Sequence, residues 1–270
     1  TIMAYNSVLG GTKPGAAQLL LDLYPDAAVA YSLRYLSNAY IGSPVVRVRR
    51  SSDNAELDFI PSEITDGTLT TFTGAGNGFV TTWYDQSGNG SNATQVVAAN
   101  QPKLVSSGVA LEVNGKPTPY FDQTASNSMN FADETIGSSF FVKEGLITSG
   151  YAFLGNTGNV SLIGDRSTTA ISIRTISLLT FPVVSNVGAG TPKLFTFINP
   201  TNAWNVHFNG VASSSNPIAT VSTVTVNTLM NRQGAFFHDG FINDVVIYST
   251  DQTANRVGIE DNINNFYSIY

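Results

Sequence analysis

The chain contains no cysteine, which excludes a disulfide framework, thiolate metal sites and a cysteine nucleophile. A fold without cysteine tolerates a reducing compartment and an exposed one equally. Charge is also sparse: Asp, Glu, Lys and Arg make up 12% of the 270 residues, about half the usual share, and the formal net charge is −6. The polar surface must therefore come from Ser, Thr, Asn, Gln and Gly. That composition suits extracellular β-proteins and virion parts better than cytosolic helical enzymes. No basic patch is available to displace counterions from a phosphate backbone, which argues against nucleic acid as a partner. Only two histidines occur, His207 and His238. A Ser-His-Asp site would have to use one of them, yet no Gly-x-Ser-x-Gly elbow is present. A zinc site built from both has no further ligand to support it. No apolar run approaches the length of a membrane span, so membrane insertion is not expected. Thr1–Gly15 lacks a charged start leading into an apolar run, so cleaved-leader export is expected only if the leader has already been removed.

The residues that are present read mostly as strands. Pro14 to Leu23 suggests a short helix stopped by Pro25. Asp26 is placed to cap a second helix through AAVAYSLRYLSNAYIG, with Val29, Leu33, Leu36 and Tyr40 on one face and Gly42 at its end. Asp66 is a further capping candidate, before GTLTTFTGAGNG. From Gly78 onward, segments such as GFVTTWYDQ, SSFFVKEGLIT, TAISIRTISLLTF, AWNVHFNGVAS and FINDVVIYS are rich in β-branched and aromatic residues. Asn114-Gly115 and Asn209-Gly210 carry the signal of tight hairpins. Strands at this spacing without alternating helices predict two packed antiparallel sheets. Thr253–Tyr270 returns to a helical pattern, with Val257, Ile259, Ile263 and Phe266 on one face. The expected organisation is an arm over residues 1–15 and a single sandwich domain over 16–270.

The most distinctive stretch is WYDQSGNGSNATQ, Trp83 to Gln95. Asp85 followed by Asn, Ser and free carbonyls offers the oxygen ligands that Ca²⁺ takes. The same Asp85 and Asn89 equally fit a sharp turn in which Asx side chains bond backbone donors. Exposed aromatic rings can stack on pyranose faces, and Trp83, Tyr84, Tyr151 and Trp204 are candidates; in a sandwich most such rings belong to the core. VVRVRRSS at Val45–Ser52 alternates like a strand and places Arg47 and Arg49 on one face, for neighbouring carboxylates or for an anion. Glycoside hydrolysis needs two carboxylates flanking one bond. Asp122, Asp165, Asp239 and Asp244 each read as turn or rim residues rather than as a pair.

AYSLRYLSNAYIGSPVVRVRRSSDN, TTWYDQSGNGSNATQ and LEVNGKPTPYF, in that order, resemble the catalytic domain of fungal-type α-L-arabinofuranosidase B, glycoside hydrolase family 54. The closing GAFFHDGFINDVVIYSTD and IEDNINNFY resemble its final strand and helix. Similar stretches occur in bacteriophage virion proteins with lectin-like or laminin-G-like jelly rolls, and this chain's wording is more similar to those. The resemblance implies a concanavalin A-like jelly-roll β-sandwich with short N-terminal helices and a C-terminal helix. It does not carry the catalysis over. The enzymes place a Glu nucleophile in a strand of the type Val-Asp-Met-Glu-Asn, and the corresponding Ala170–Phe181 has no carboxylate. They place their acid in a Gly-Gly-Asp loop, and the corresponding Thr228–Phe237 has none either. The YDQSGNG loop then reads as a scaffold turn.

The expectation is a non-enzymatic bacteriophage virion protein, of fibre, tail or capsid surface. It would be oligomeric or anchored to other virion proteins, with host or environmental glycans as further partners. Trp83, Tyr84, Asp85, Asn89 and Trp204 are its candidate glycan contacts, and no cofactor is expected unless Asp85 holds Ca²⁺. The alternatives are a glycoside hydrolase of the arabinofuranosidase type using acids such as Asp165 and Asp239, or a secreted, extracellular carbohydrate-binding module.

Overall fold

The computed structural model describes residues 18–145, 152–167, 170–174, 178–182, 191–200, 203–219 and 223–270. The expected arm and Tyr151 lie outside the described residues. The longer strands are β1 (Val29–Ser32), β2 (Val46–Arg50), β3 (Glu56–Phe59), β4 (Gly78–Trp83) and β5 (Lys103–Ser106). There follow β6 (Met129–Thr135), β7 (Ser138–Glu144), β8 (Ala152–Gly155), β9 (Leu162–Ser167) and β10 (Ala170–Arg174). The last are β11 (Leu178–Pro182), β12 (Lys193–Ile198), β13 (Ala203–Phe208), β14 (Thr225–Leu229) and β15 (Gly240–Tyr248). All pairings among them are antiparallel, and they form the two faces of a jelly-roll sandwich.

One sheet runs β1–β15–β7–β12–β13. The other runs β3–β2–β4, passes through the short Ala93–Thr94 strand to β6, and continues β14–β8–β9–β10–β11. The seam between them is β5, whose Lys103 pairs with both Phe79 and Tyr120, while Tyr120 pairs with Phe241 of β15.

Strand alternation decides what fills each side. Inward-facing Val48, Trp83, Phe141, Phe195, Trp204 and Val245 belong to one buried cluster between the sheets. Within it the ring of Phe141 stacks on Phe195 and Phe197, at 8° and 6° between planes. Phe140, Val142, Val246 and Tyr248 point the other way and are covered by Ile259, Ile263 and Tyr267 of the C-terminal helix over Arg256–Tyr267. The first sheet is thus buried on both faces, each large apolar side chain contributing about 1.5–3 kcal/mol.

Four short stretches are α-helical among the described residues: α1 (Leu20–Leu23), α2 (Pro61–Thr65), α3 (Thr68–Thr73) and α4 (Arg256–Tyr267). The helix expected from Asp26 to Gly42 is absent. Val29–Ser32 is instead an edge strand, pairing with Ile247 to Asp244, and Asp26 sits at φ 66°, where it cannot cap a helix. Its apolar residues have helical spacing, but β15 supplies a strand partner more than two hundred residues away, and tertiary pairing overrides local propensity. The last helix is real but rotated from expectation: Val257 is 55% exposed, and Ile259, Ile263 and Tyr267 form the buried row. Asn114-Gly115 and Asn209-Gly210 are both hairpin turns with positive φ at both residues, as two-residue loops of the type I′ kind require. No helix among the described residues is long and apolar enough to cross a membrane.

Candidate functional site

The Trp83–Gln95 loop is a dock for the first strand. Asp85 is buried, and its Oδ1 accepts from Ala30 N–H and Ser87 N–H, both at 2.9 Å. Its Oδ2 accepts from the Ser87 hydroxyl at 2.7 Å and Ser91 N–H at 3.1 Å. Gln86 donates to the carbonyls of Ser32 and Arg34 and accepts from Leu36 N–H. Asn89 Nδ2 donates to the carbonyls of Ala27 and Ala28, 3.0 Å each. Gly88 and Gly90 turn the chain at φ 93° and 74°. Backbone groups of residues 27–36 that a helix would have used internally are thus satisfied by this loop. Both Asp85 oxygens accept from N–H and O–H donors, so its lone pairs are engaged within the fold. No group of three or more His, Cys, Asp or Glu that could hold a metal occurs among the described residues.

The expected sugar platforms fare differently. Trp83 and Trp204 are fully buried in the inter-sheet core, which leaves neither ring a face for stacking. Tyr84 is half-buried and donates its hydroxyl to Asp58 Oδ1 at 2.7 Å. Asn89, with Asp26, Ser87 and Glu134, lines a shallow polar opening beside the loop. Arg47 pairs with Asp58 at 2.7 Å, and Arg49 bonds the side-chain amides of Gln101 and Asn54 rather than carboxylates.

Asp165 and Asp239 do not face one cleft. Asp165, on the inner face of β9, is fully buried between the sheets. Lys143 Nζ of β7 donates to its Oδ2 at 2.5 Å, and His238 Nε2 lies 2.6 Å from the same oxygen. Lys143 Nζ is also 3.2 Å from His238 Nε2 and lies over the ring of Phe153. Burial alone would push the Asp165 carboxyl up, but the Lys143 ammonium and His238 more than offset it and hold it below the usual carboxylate range. Burial, then Lys143, holds His238 below its ordinary value. Asp239 points elsewhere, accepting from the Tyr120 hydroxyl at 2.8 Å and Gln123 N–H at 3.3 Å.

A second charged cluster lies on the opposite face of the same sheet. Cross-strand partners Gly155, Leu162 and Arg174 form one row over β8, β9 and β10. Their neighbours Leu154, Ile163 and Ile173 belong to the inter-sheet core, so this row faces outward. The turn after β14 lies on that row: a Cβ on Gly155 would sit 2.0 Å from the carbonyl oxygen of Asn231 and 3.2 Å from the Cα of Arg232. Glycine is required for that approach. Arg232 is 5% exposed, its guanidinium packs 4.1 Å from the centre of the Phe236 ring, and its Nε has no hydrogen-bond partner. The Nε of Arg174 is likewise buried and unpartnered. Burial, and then the neighbouring Arg174, hold the Arg232 guanidinium below its ordinary range.

Neither arginine was singled out by sequence, because nothing local marks an Arg as unpaired. Arg174 and Arg232 lie in Ala170–Phe181 and Thr228–Phe237, the segments that the resemblance sets against those holding the enzymes' acids. The fold brings those two segments together on one face.

The sandwich is similar in fold to solved arabinofuranosidases. A GH54 α-L-arabinofuranosidase soaked with a cyclic sulfate inhibitor superposes at TM-score 0.61 and 13% identity, over 88% of this chain and 62% of that one. An arabinofuranosidase complexed with arabinofuranosyl-α-1,2-xylobiose gives 0.60 and 13% over the same shares. At such identity the likeness establishes the fold, and the chain spans 62% of the length of those enzymes. No family model matches the chain, and no curated protein matches its sequence.

Proposed function

We propose that this domain recognises carbohydrate and holds it without cleaving it. What supports the reading is that, on a sandwich similar in fold to solved arabinofuranosidases, the segments Ala170–Phe181 and Thr228–Phe237, which the resemblance sets against those holding the enzymes' acids, contain no Asp or Glu. A retaining glycosidase sets two carboxyl groups about 5–5.5 Å apart across the scissile bond. The two segments set against the carboxylate-bearing ones meet on one face of the second sheet, where Arg174 and Arg232 lie. A guanidinium keeps its proton at any working pH and serves as neither nucleophile nor general acid. What it offers is hydrogen-bond donors, which hold a ligand in place.

The test is to incubate the purified chain with 4-nitrophenyl α-L-arabinofuranoside and a panel of other nitrophenyl glycosides, and in parallel to apply it to a glycan array. Retention on the array without nitrophenol release is expected. Turnover that a single carboxylate substitution abolishes would overturn the reading and favour the second one, a glycoside hydrolase, which the fold similarity over 88% of the chain supports.

A bacteriophage particle is the setting we propose for this activity, with other virion proteins as partners and an oligomeric or anchored state. Sparse charge and the lack of cysteine support it. Recovery of the chain with purified particles is expected; recovery only from particle-free culture supernatant would make it a secreted binding module.

A further inference from the structure

We propose that Arg174 and Arg232 form an anion-binding subsite that takes the carboxylate or sulfate group of an acidic sugar, an inference that rests on the carbohydrate reading above and narrows it to acidic glycans. Side-chain partners separate these two from the other arginines whose side chains are described. Arg34 pairs with Asp244, Arg47 with Asp58, Arg50 with Asp53 and Arg256 with Glu260, while Arg49 bonds two amides. The side chains of Arg174 and Arg232 make no hydrogen bond or ion pair with any described residue, and both Nε atoms are sealed from water. A buried, unpaired guanidinium is costly, and a second one beside it adds repulsion.

The geometry is that of a receptor rather than a packing accident. The row Gly155–Leu162–Arg174 crosses two strand spacings, about 10 Å, which two extended arginine side chains span. The turn that delivers Arg232 is held in place by Gln233 N–H donating to the Asn156 carbonyl at 2.9 Å and by Phe236 N–H donating to the Arg232 carbonyl at 3.1 Å. Gln233 and Gly234 hold it with positive φ, 56° and 65°. Asn231 Oδ1, in the same turn, is also buried and unpartnered. Phe236 covers one side of the Arg232 guanidinium and is itself 39% exposed, an apolar ledge on which a sugar ring can rest beside the charge. Burial and Arg174 depress the Arg232 titration, the imprint of positive charge left without its counterion. Carboxylates and sulfates match the planar donor fork of arginine. An extended polyanion such as nucleic acid does not suit a chain of net charge −6.

The experiment follows the arginine Nε–H signals by NMR in the full chain while D-glucuronate, inorganic sulfate or D-glucose is added. The same protein and its variants are also run on an array of neutral and acidic glycans. Saturable shifts of the Arg174 and Arg232 signals with glucuronate, sulfate or both are expected, and none with glucose. The stronger of the two anions identifies a uronate-type or a sulfate-ester ligand. Arg232→Met and Arg174→Met should each weaken anion binding at least tenfold with the melting temperature kept. Arg232→Lys, which keeps the charge but loses the fork, should fall between. Failure of both anions to shift the signals, or binding that survives in both methionine variants, overturns the subsite. Neutral glycans retained equally by wild type and Arg232→Met would leave the carbohydrate reading standing and remove the anion. Anion binding with no glycan retained at all would do the reverse.

Discussion

On the inner face of β9, Asp165 meets Lys143 and His238; on the outer face of β10, a few residues further along the chain, Arg174 has Arg232 for its charged neighbour. The first lies between the two sheets, with Lys143 on β7 and Asp165 on β9; the second lies on the outer face of the second sheet, where Arg232 is buried and Arg174 half-buried. In the first, opposite charges and a histidine share one carboxylate oxygen, and the aromatic rings of Phe153 and Phe195 close around the ammonium. In the second, like charges sit under a turn with their Nε atoms idle. Internal compensation ties the first cluster to holding the sheets together. Its lack in the second, among the described residues, is what the proposed anion would supply. Burial of a charge therefore says little until its partners are counted.

Breaking the compensated cluster should have the largest effect. Lys143→Met leaves Asp165 buried without its main counterion and should cost about 3–5 kcal/mol, read by urea unfolding. Lys143→Met combined with Asp165→Leu should cost less than Lys143→Met alone, because no uncompensated charge remains. A single variant within about 1 kcal/mol of wild type would show that the cluster is not sealed from water and would erase the contrast.

Asp85→Ala comes next, at about 3 kcal/mol, since it strands buried donors at Ala30, Ser87 and Ser91. Asp85→Asn keeps one acceptor and should lose about half as much by the same unfolding measurement. Calcium should leave the wild-type melting temperature unchanged; a rise with millimolar calcium would return Asp85 to the role of ligand.

Acidification gives a smaller, graded effect. Both histidines titrate below their ordinary value in the folded chain, His207 at about 4 through burial and then Arg256, and His238 through burial and then Lys143. The unfolded chain therefore binds protons that the folded chain refuses, beginning near the usual histidine value of about 6.5. Stability should fall as pH drops from there toward 4. Asp165, held low in the fold, adds a further loss below about 4, as its ion pair is protonated away. Melting temperatures that stay flat from pH 7 to 4 would show the histidines to be solvated.

Much of the sandwich is legible in the chain. Alternating β-branched and aromatic residues mark β4, β7, β12, β13 and β15, and the two Asn-Gly pairs mark hairpins, because these signals are local. β1 is misread because its residues also satisfy a helical spacing and its partner strand lies at the far end of the sequence. The turn reading of Asp85 and Asn89 matches their bonds, whereas Trp83 and Trp204, candidate glycan contacts, lie in the core, where most aromatic rings of a sandwich belong. Lys143 was findable: it shares strand phase with Phe141, so a charge sits where an inward-facing residue belongs. The arginine pair was not, since β10 and the turn after β14 meet only through β8 and β9.

The smallest expected effect is the most discriminating, because it has the opposite sign. Arg232→Met removes a nearly buried charge that has no counterion among the described residues and relieves its repulsion with Arg174, while the methionine chain keeps most of the packing against Phe236. Stability in ligand-free buffer should hold or rise, by about 1 kcal/mol at most, where Lys143→Met is severely damaging. Adding sulfate should then narrow the gap, raising the wild-type melting temperature more than that of Arg232→Met, because an anion bound only by the folded wild type adds to its stability. A clear loss of stability in Arg232→Met without anion would mean that the guanidinium already has a compensating partner within the chain. The two clusters would then differ in arrangement but not in kind.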